Sequence, residues 1–187
     1  DLSNFNTSNV TNMLQMFSDC TSLVSLDLSK LNTSNVSSMN AMFWKCSSLT
    51  SLDLSNFNTS KVTGMSSMFE KCTSLVNLNL SNFNTSNVTS MGSMFSSCSS
   101  LTELDLSNFN TSNVTKMVNM FYDCSKLTTI INIMNSNVTY YTNMFYRAAT
   151  ASGSKITVNY IAAASTLVDS MIATKSSNSN VVKGTEL

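Results

Sequence analysis

The sequence predicts a solenoid, in which copies of one short structural unit stack into a rod with a continuous core. A segment of the form Asp-Leu-Ser-Asn-Phe-Asn-Thr-Ser-Asn-Val-Thr begins at residue 1 and returns with few changes at residues 27, 53, 79 and 105, a period of 26. Several positions of this repeat are apolar in every copy, and residues 150–187 follow a different pattern. We therefore expect six stacked coils with a parallel β-sheet and short helical or 3₁₀ turns, followed by a small α/β cap at the C-terminus.

The composition excludes several classes of function. The 187 residues carry no net charge and only 11% are charged, so no overall electrostatic attraction draws the chain to nucleic acid or to an anionic membrane. The absence of histidine excludes histidine-based catalytic triads and metal sites, and four scattered glycines cannot form a phosphate-binding loop. No apolar run is long enough to span a membrane. We expect no enzyme activity, no cofactor, no nucleic-acid partner and no membrane insertion.

The repeats divide the chain into a solenoid over residues 1–149 and a capping segment over residues 150–187. The sixth coil is shortened, because Val138 follows Val114 by 24 residues instead of 26. Asp1 stands within a repeat, so we also expect that the chain is a fragment of a longer protein.

A 26-residue unit cannot bury an apolar face alone, but stacked copies bury one continuous core. Nine positions of each coil should therefore point inward. In the second coil these residues are Leu28, Leu31, Val36, Met39, Met42, Phe43, Cys46, Leu49 and Leu52. Ile130 occupies the ninth position of the fifth coil by the same count.

The spacing of these residues predicts the local structure of a coil. Leu26 and Leu28 are two residues apart, which is typical of a strand that points Asp27 outward. Residues 32–35 are Asn-Thr-Ser-Asn, whose short polar side chains favour a turn. The later spacing of Met39, Met42 and Cys46 favours a short extended piece followed by one helical or 3₁₀ turn.

The motif L-x-x-L-D-L-S-x-F-N-T-S-N-V-T-x-M-x-x-M-F-x-x-C resembles the leucine-rich repeats of BspA-type bacterial surface proteins. The 26-residue variant found in mycoplasmas and Gram-positive bacteria is the most similar. This resemblance implies a leucine-rich-repeat-like fold and an extracellular protein, at the bacterial cell surface, that binds other molecules through the face of its strands. In the sixth coil Tyr141 and Ala148 replace the repeat methionine and cysteine, which indicates a transition to the cap.

The capping segment combines strand and helix patterns. Residues 156–160 alternate between apolar and polar side chains, which favours a strand. Leu167, Val168, Met171 and Ile172 form one face of a helix, with Ser165 near its start, and Val181 and Val182 favour a last strand. Such a segment is expected at the end of a solenoid, where an exposed sheet edge would otherwise remain.

Five cysteines at 26-residue intervals could suggest a metal site or disulfides. The spacing instead stacks them in the core, where they act as small buried hydrophobic residues. Their odd number and the lack of a Cys-x-x-Cys motif also favour free thiols.

Two sets of outward residues are candidate binding sites. The first is an acidic column on the strand face, formed by Asp1, Asp27, Asp53 and Asp105, with Asn79 in the same register and Glu103 beside it. It could bind a basic partner or calcium, or its carboxylates could only hydrogen-bond to neighbouring groups. The second set is aromatic and lies on the turn side: Trp44, Tyr122 and Tyr146. Exposed aromatic residues are enriched at interfaces, although surface variation without function could also place them there.

We expect a non-catalytic, adhesin-like binding module that recognises a protein or glycan on a host or neighbouring cell. The alternative is a structural spacer in a larger surface protein. A more remote alternative is an ice-binding solenoid, in which columns of Thr and Ser form a flat array of hydroxyls. End-to-end self-association through residues 1–28 is a further expectation.

Overall fold

The computed structural model describes residue 2 and residues 4–187. The chain forms a parallel β-solenoid of about five turns, which confirms the predicted solenoid and roughly matches the six coils expected. One position of each coil joins it to the next coil by a parallel bridge, in the column Asn12, Ser38, Gly64, Ser90, Lys116 and Tyr140.

The regular elements are short and lie at the strand positions of the repeat and in the cap. They are β1 (Ser51–Asp53), β2 (Asn77–Asn79), β3 (Thr129–Ile133), β4 (Ile156–Tyr160), a 3₁₀ helix (Ala162–Ala164), α1 (Ser165–Ile172) and β5 (Val181–Glu186). Strands β1 and β2 pair in parallel, and β3, β4 and β5 form a second parallel sheet in that order. Between the two sheets, a bridge from Glu103 to Thr128 continues the pairing at the strand position.

The apolar positions of the repeat form a column-by-column core. Six phenylalanine rings stack at centroid separations of 5.5 to 5.9 Å, in the column Phe17, Phe43, Phe69, Phe95, Phe121 and Phe145. Cys46, Cys72, Cys98 and Cys124 are buried free thiols, which confirms the core prediction for these four. Cys20, at the same predicted inward position, is exposed. Phe5, in the same coil, is also exposed.

A column of buried threonines lies beside this apolar core: Thr7, Thr33, Thr59, Thr85 and Thr111. From Thr7 to Thr85, each hydroxyl donates to the carbonyl of an asparagine in the next coil and accepts that residue's N–H. The column therefore satisfies backbone groups inside the solenoid and does not contribute to an outer hydroxyl array.

The helical or 3₁₀ turn predicted within each coil is wrong. Met42 N donates to Met39 O and Cys46 N to Phe43 O, which closes two successive β-turns. Ala41 and Lys45, the third residues of these turns, have φ angles of 54° and 58°, as a type II turn requires. With this turn geometry, the N–H groups of residues 39, 41, 43 and 45 donate to carbonyls of the next coil. In a helix, most of these N–H groups would instead bond to carbonyls of their own coil.

The inward position predicted for Ile130 is also wrong, since its side chain is 55% exposed. Ser51 pairs with Asn77, 26 residues later, but Glu103 pairs with Thr128, only 25 residues later. The sixth coil has thus lost one residue at the start of its strand, and a one-residue slip exchanges the two faces of a strand. Thr129, Ile131 and Ile133 point inward instead.

The cap elements agree with the sequence patterns at β4, α1 and β5. Helix α1 buries Val168 and Met171 against the core. The next segment ends the hydrogen-bond ladder of the turns, because Phe145 N donates to the Thr174 hydroxyl and Arg147 N to the Ser176 hydroxyl. Side-chain oxygens thereby replace the carbonyls that another coil would supply.

Candidate functional site

The acidic column lies on the outward side of the strand positions. Asp27, Asp53 and Asp105 are exposed, and each accepts a hydrogen bond from the backbone N–H two residues later, at 2.9 Å. These N–H donors, which belong to serines, hold the pKa of all three carboxyls below the usual value. Hydrogen bonding to neighbouring groups therefore accounts for part of this column. Asp1 lies outside the described residues.

Asn79 makes the same turn as the aspartates. Its Oδ1 atom accepts from Ser81 N, and its Nδ2 atom donates to Asp53 Oδ1 at 3.2 Å. An uncharged residue is therefore sufficient for the local backbone structure at this position, and the charge of the other members is free for a second role.

The strand face carries an open groove of about 950 Å³, where the repeating coils meet the cap. We call it the strand-face groove. It is lined by Val76, Asn77, Leu78, Asn79, Thr102, Glu103, Leu104, Asp105, Leu106, Ser107, Thr128, Thr129, Ile130, Asn132, Lys155, Thr157, Asn159 and Leu187. Its volume is at the upper end of the range for small-molecule pockets, and its open form suits a longer ligand.

Two adjacent columns determine the chemistry of the groove. The first runs from Glu103 through Thr128 to Lys155, so a carboxylate and an ammonium group lie two coils apart. At about 4.8 Å per coil this separation is roughly 10 Å. The second column runs from Asp105 to Ile130, so an isoleucine stands where the earlier coils have an aspartate or an asparagine. Acidic and apolar groups therefore stand side by side.

Gly184 leaves room for Asn159, one of the residues that line the groove. A Cβ atom at this position would overlap the Oδ1 atom of Asn159, so only glycine leaves room for that side chain. Asn159 Nδ2 donates to Asn132 Oδ1 at 3.1 Å, and Asn159 Oδ1 accepts from Thr185 N at 3.0 Å. Both asparagines line the groove.

The aromatic residues lie apart from the groove and do not form one patch. Trp44 is half-buried, with Lys45 Nζ at 4.2 Å and Lys71 Nζ at 5.7 Å from the ring centroid. Tyr122 and Tyr146 stack on each other at 5.2 Å. In the same column, Ser96 lies between Trp44 and this pair and is buried.

Among the predicted site residues, the structure brings Glu103 and Asp105 together in the groove and Tyr122 and Tyr146 together on the turn side. Asp27 and Asp53 belong to the same column but do not line the groove. Sequence reasoning missed Ile130 and Lys155 as site residues. The alternation of Thr129, Ile131 and Ile133 is the signal in the sequence that could have revealed the outward position of Ile130.

The described part of the chain, residue 2 and residues 4–187, contains no cluster of three or more Cys, Asp or Glu side chains that could hold a metal ion. In the same residues, no helix has the length and apolar character needed to cross a membrane.

Comparison with known proteins identifies one family. The family described as "Mycoplasma protein of unknown function, DUF285" matches residues 1–54 and 47–159, which together span every coil and reach into the cap. The chain belongs to this family. No curated protein and no solved structure matches this DUF285 chain. The match ends at residue 159, within β4, so it includes Glu103, Asp105, Ile130 and Lys155 of the groove.

Proposed function

We propose that this DUF285 chain is a non-catalytic binding module of a bacterial surface protein, related to the BspA-type leucine-rich-repeat proteins. It recognises a protein or glycan of a host or neighbouring cell, as an adhesin does, and works outside the cell. The observation that carries this proposal is the strand-face groove. It lies on the face that the resemblance implicates in binding, and it joins uncompensated carboxylates to exposed apolar side chains.

The charge pattern supports binding over catalysis. Glu103 and Asp105 are exposed carboxylates next to hydroxyl and amide side chains. Such groups recognise a partner by hydrogen bonds and ionic contacts, but they form no nucleophile with an adjacent base.

The experiment compares three pairs of substitutions on glycan arrays and arrays of host surface proteins. Glu103→Gln with Asp105→Asn removes the two side-chain carboxylates of the groove, and the native Asn79 shows that asparagine preserves the turn. Asp27→Asn with Asp53→Asn is the matched control outside the groove. Trp44→Ala with Tyr122→Ala tests the aromatic surface.

Binding through the groove should fall about tenfold in the first pair and should weaken as salt is added, because exposed charges are screened. The control pair should bind like the unchanged chain. A loss confined to the aromatic pair would move the site to the turn side. Binding to no array component would contradict the proposal and favour the spacer.

The spacer function has an observation of its own in its favour. The unbroken phenylalanine column and the coil-to-coil hydrogen bonds make a stiff rod, which would hold a neighbouring domain away from the cell. The ice-binding function gains less support, because one of the two threonine columns is buried. The exposed column at Thr63, Thr89 and Thr115 uses its hydroxyls to bond the preceding coil.

A further inference from the structure

The carboxylates of the strand-face groove have no ionic partner in the described part of the chain. The ion pairs there join Lys45 to Asp19, Arg147 to Asp123 and Lys183 to Asp169. Glu103 and Asp105 take part in none of them, although Lys155 lines the same groove. Two residues apart on one outward face, they project to the same side. A cation from outside can therefore approach both.

An apolar surface lies directly beside these charges. Ile130 is 55% exposed and Val76 is 43% exposed, and both line the groove. Ile130 occupies the column position next to Asp105, at a distance of about 4.8 Å along the stack. A ligand that places a cationic group over Asp105 thus also places its neighbouring atoms against Ile130.

The remaining lining groups match a peptide backbone. The amide of Asn77 donates and accepts hydrogen bonds, as a peptide unit does, and this side chain is exposed. The Thr128 hydroxyl accepts from Lys155 N at 3.2 Å and keeps its own proton to donate. No aromatic side chain is among the described residues that line the groove, so a sugar ring would find no flat apolar surface on which to stack.

We propose that the strand-face groove binds an extended peptide segment of another protein, in which one basic residue stands two positions from an aliphatic residue. This inference rests on the proposed function and names the partner's chemistry. In an extended peptide such residues lie on the same side, roughly 6.7 Å apart, so the basic group meets Glu103 and Asp105 while the aliphatic group packs on Ile130.

Lys155 limits the charge of the partner. It lies roughly 10 Å from Glu103, two coils along the same column. It would repel a second basic group at that end, so the groove selects a single basic residue and not a polybasic run.

The first test is an array of short serine- and glycine-based peptides in which two positions, two residues apart, sample every amino acid. The complete chain serves as the labelled probe. The expected result is preferential binding where one variable position is Lys or Arg and the other is Leu, Ile or Val. Peptides with Glu in place of the basic residue, and polylysine, should bind more weakly. Absence of binding, or binding without a preference for a basic residue, would overturn the inference.

The second test uses the best array peptide in fluorescence anisotropy. The dissociation constant should rise about tenfold with Glu103→Gln and Asp105→Asn, and also with Ile130→Ser. Asp53→Asn and Val24→Ser are the controls. Asp53 occupies the repeat position of Asp105, and Val24 occupies that of Val76. Both residues are exposed, and neither lines the groove. Equal binding by all variants would overturn the inference.

The two proposals can fail separately. If no peptide binds but a glycan or a folded host protein binds and the groove variants abolish that binding, the proposed function stands and the peptide inference falls. If the groove variants leave every kind of binding unchanged, both fail at this site.

Discussion

The buried threonine column offers the sharpest test of how the coils are held together. The Thr85 side chain is fully buried. Its hydroxyl donates to Asn110 O at 3.0 Å and accepts from Asn110 N at 2.8 Å. One side-chain oxygen therefore satisfies two backbone groups of the next coil.

Thr85→Val keeps the shape of the side chain and removes both hydrogen bonds. Two net hydrogen bonds contribute about 1–3 kcal/mol, and an orphaned backbone group in a buried setting costs about 1–3 kcal/mol. The two estimates count part of the same loss, so they cannot simply be added. We expect the free energy of unfolding to fall by about 2–4 kcal/mol.

Urea denaturation followed by circular dichroism measures this loss. Thr85→Ser keeps the hydroxyl and removes one methyl group, so it should cost only about 1 kcal/mol. Thr89→Val removes an exposed hydroxyl that bonds Thr63 O at 3.3 Å and should change stability by less than about 0.5 kcal/mol. If Thr85→Val is no more destabilising than Thr89→Val, the column does not hold the coils as described.

Three further predictions concern the thiols and the cap. A thiol reagent applied to the native protein should label exposed Cys20 quickly and the four buried cysteines only on unfolding. Cys72→Ser should lower the free energy of unfolding by about 1–3 kcal/mol. Rapid labelling of all five cysteines would refute the buried column. Burial raises the pKa of Cys46 to about 11 and that of Cys72 to about 12 from 9.0, so these thiols ionise first in the unfolded chain. The urea midpoint should therefore fall as pH rises above about 9 and through the thiol pKa values of the folded protein. The fall should be less steep in Cys46→Ala with Cys72→Ala. Equal slopes would contradict the burial of these two thiols. Thr174→Val removes the acceptor of Phe145 N and should cost about 1–3 kcal/mol by thermal or urea unfolding, while Thr174→Ser, which keeps the acceptor, should cost less.

The core could be predicted because a strict repeat shows which positions must face inward. A position such as that of Met42 or Phe43 stays apolar in each copy, and stacking gives the same surroundings to every copy that lies between two others. The turn that contains these residues could not be predicted in the same way. Their spacing of three and four suits a helix as well as consecutive β-turns, and the choice depends on N–H groups that bond the next coil.

The candidate site was predictable only where the repeat is regular. The alternation of the strand places Glu103 and Asp105 on the outer face, and the structure agrees. Lys155 could not be predicted as a site residue from the sequence, because its position in the same column as Glu103 depends on the pairing of β3 with β4. The groove arises where the periodic pattern breaks, at the boundary between the coils and the cap.

Ile130 tests this explanation most directly, because the repeat count and the structure place its side chain on opposite faces. In the register of the structure it stands in the acidic column beside Asp105, so Ile130→Asp restores the residue type of the earlier coils. The substitution should cost less than about 1 kcal/mol, since the side chain is exposed and only repulsion between adjacent like charges is added. Salt should recover part of that loss in urea denaturation, and Ile131→Asp, at a buried neighbour, should be far more destabilising. A loss of several kcal/mol from Ile130→Asp would mean that residue 130 faces inward. The strand would then have kept the 26-residue register, and Ile130 would contribute no apolar surface to the groove.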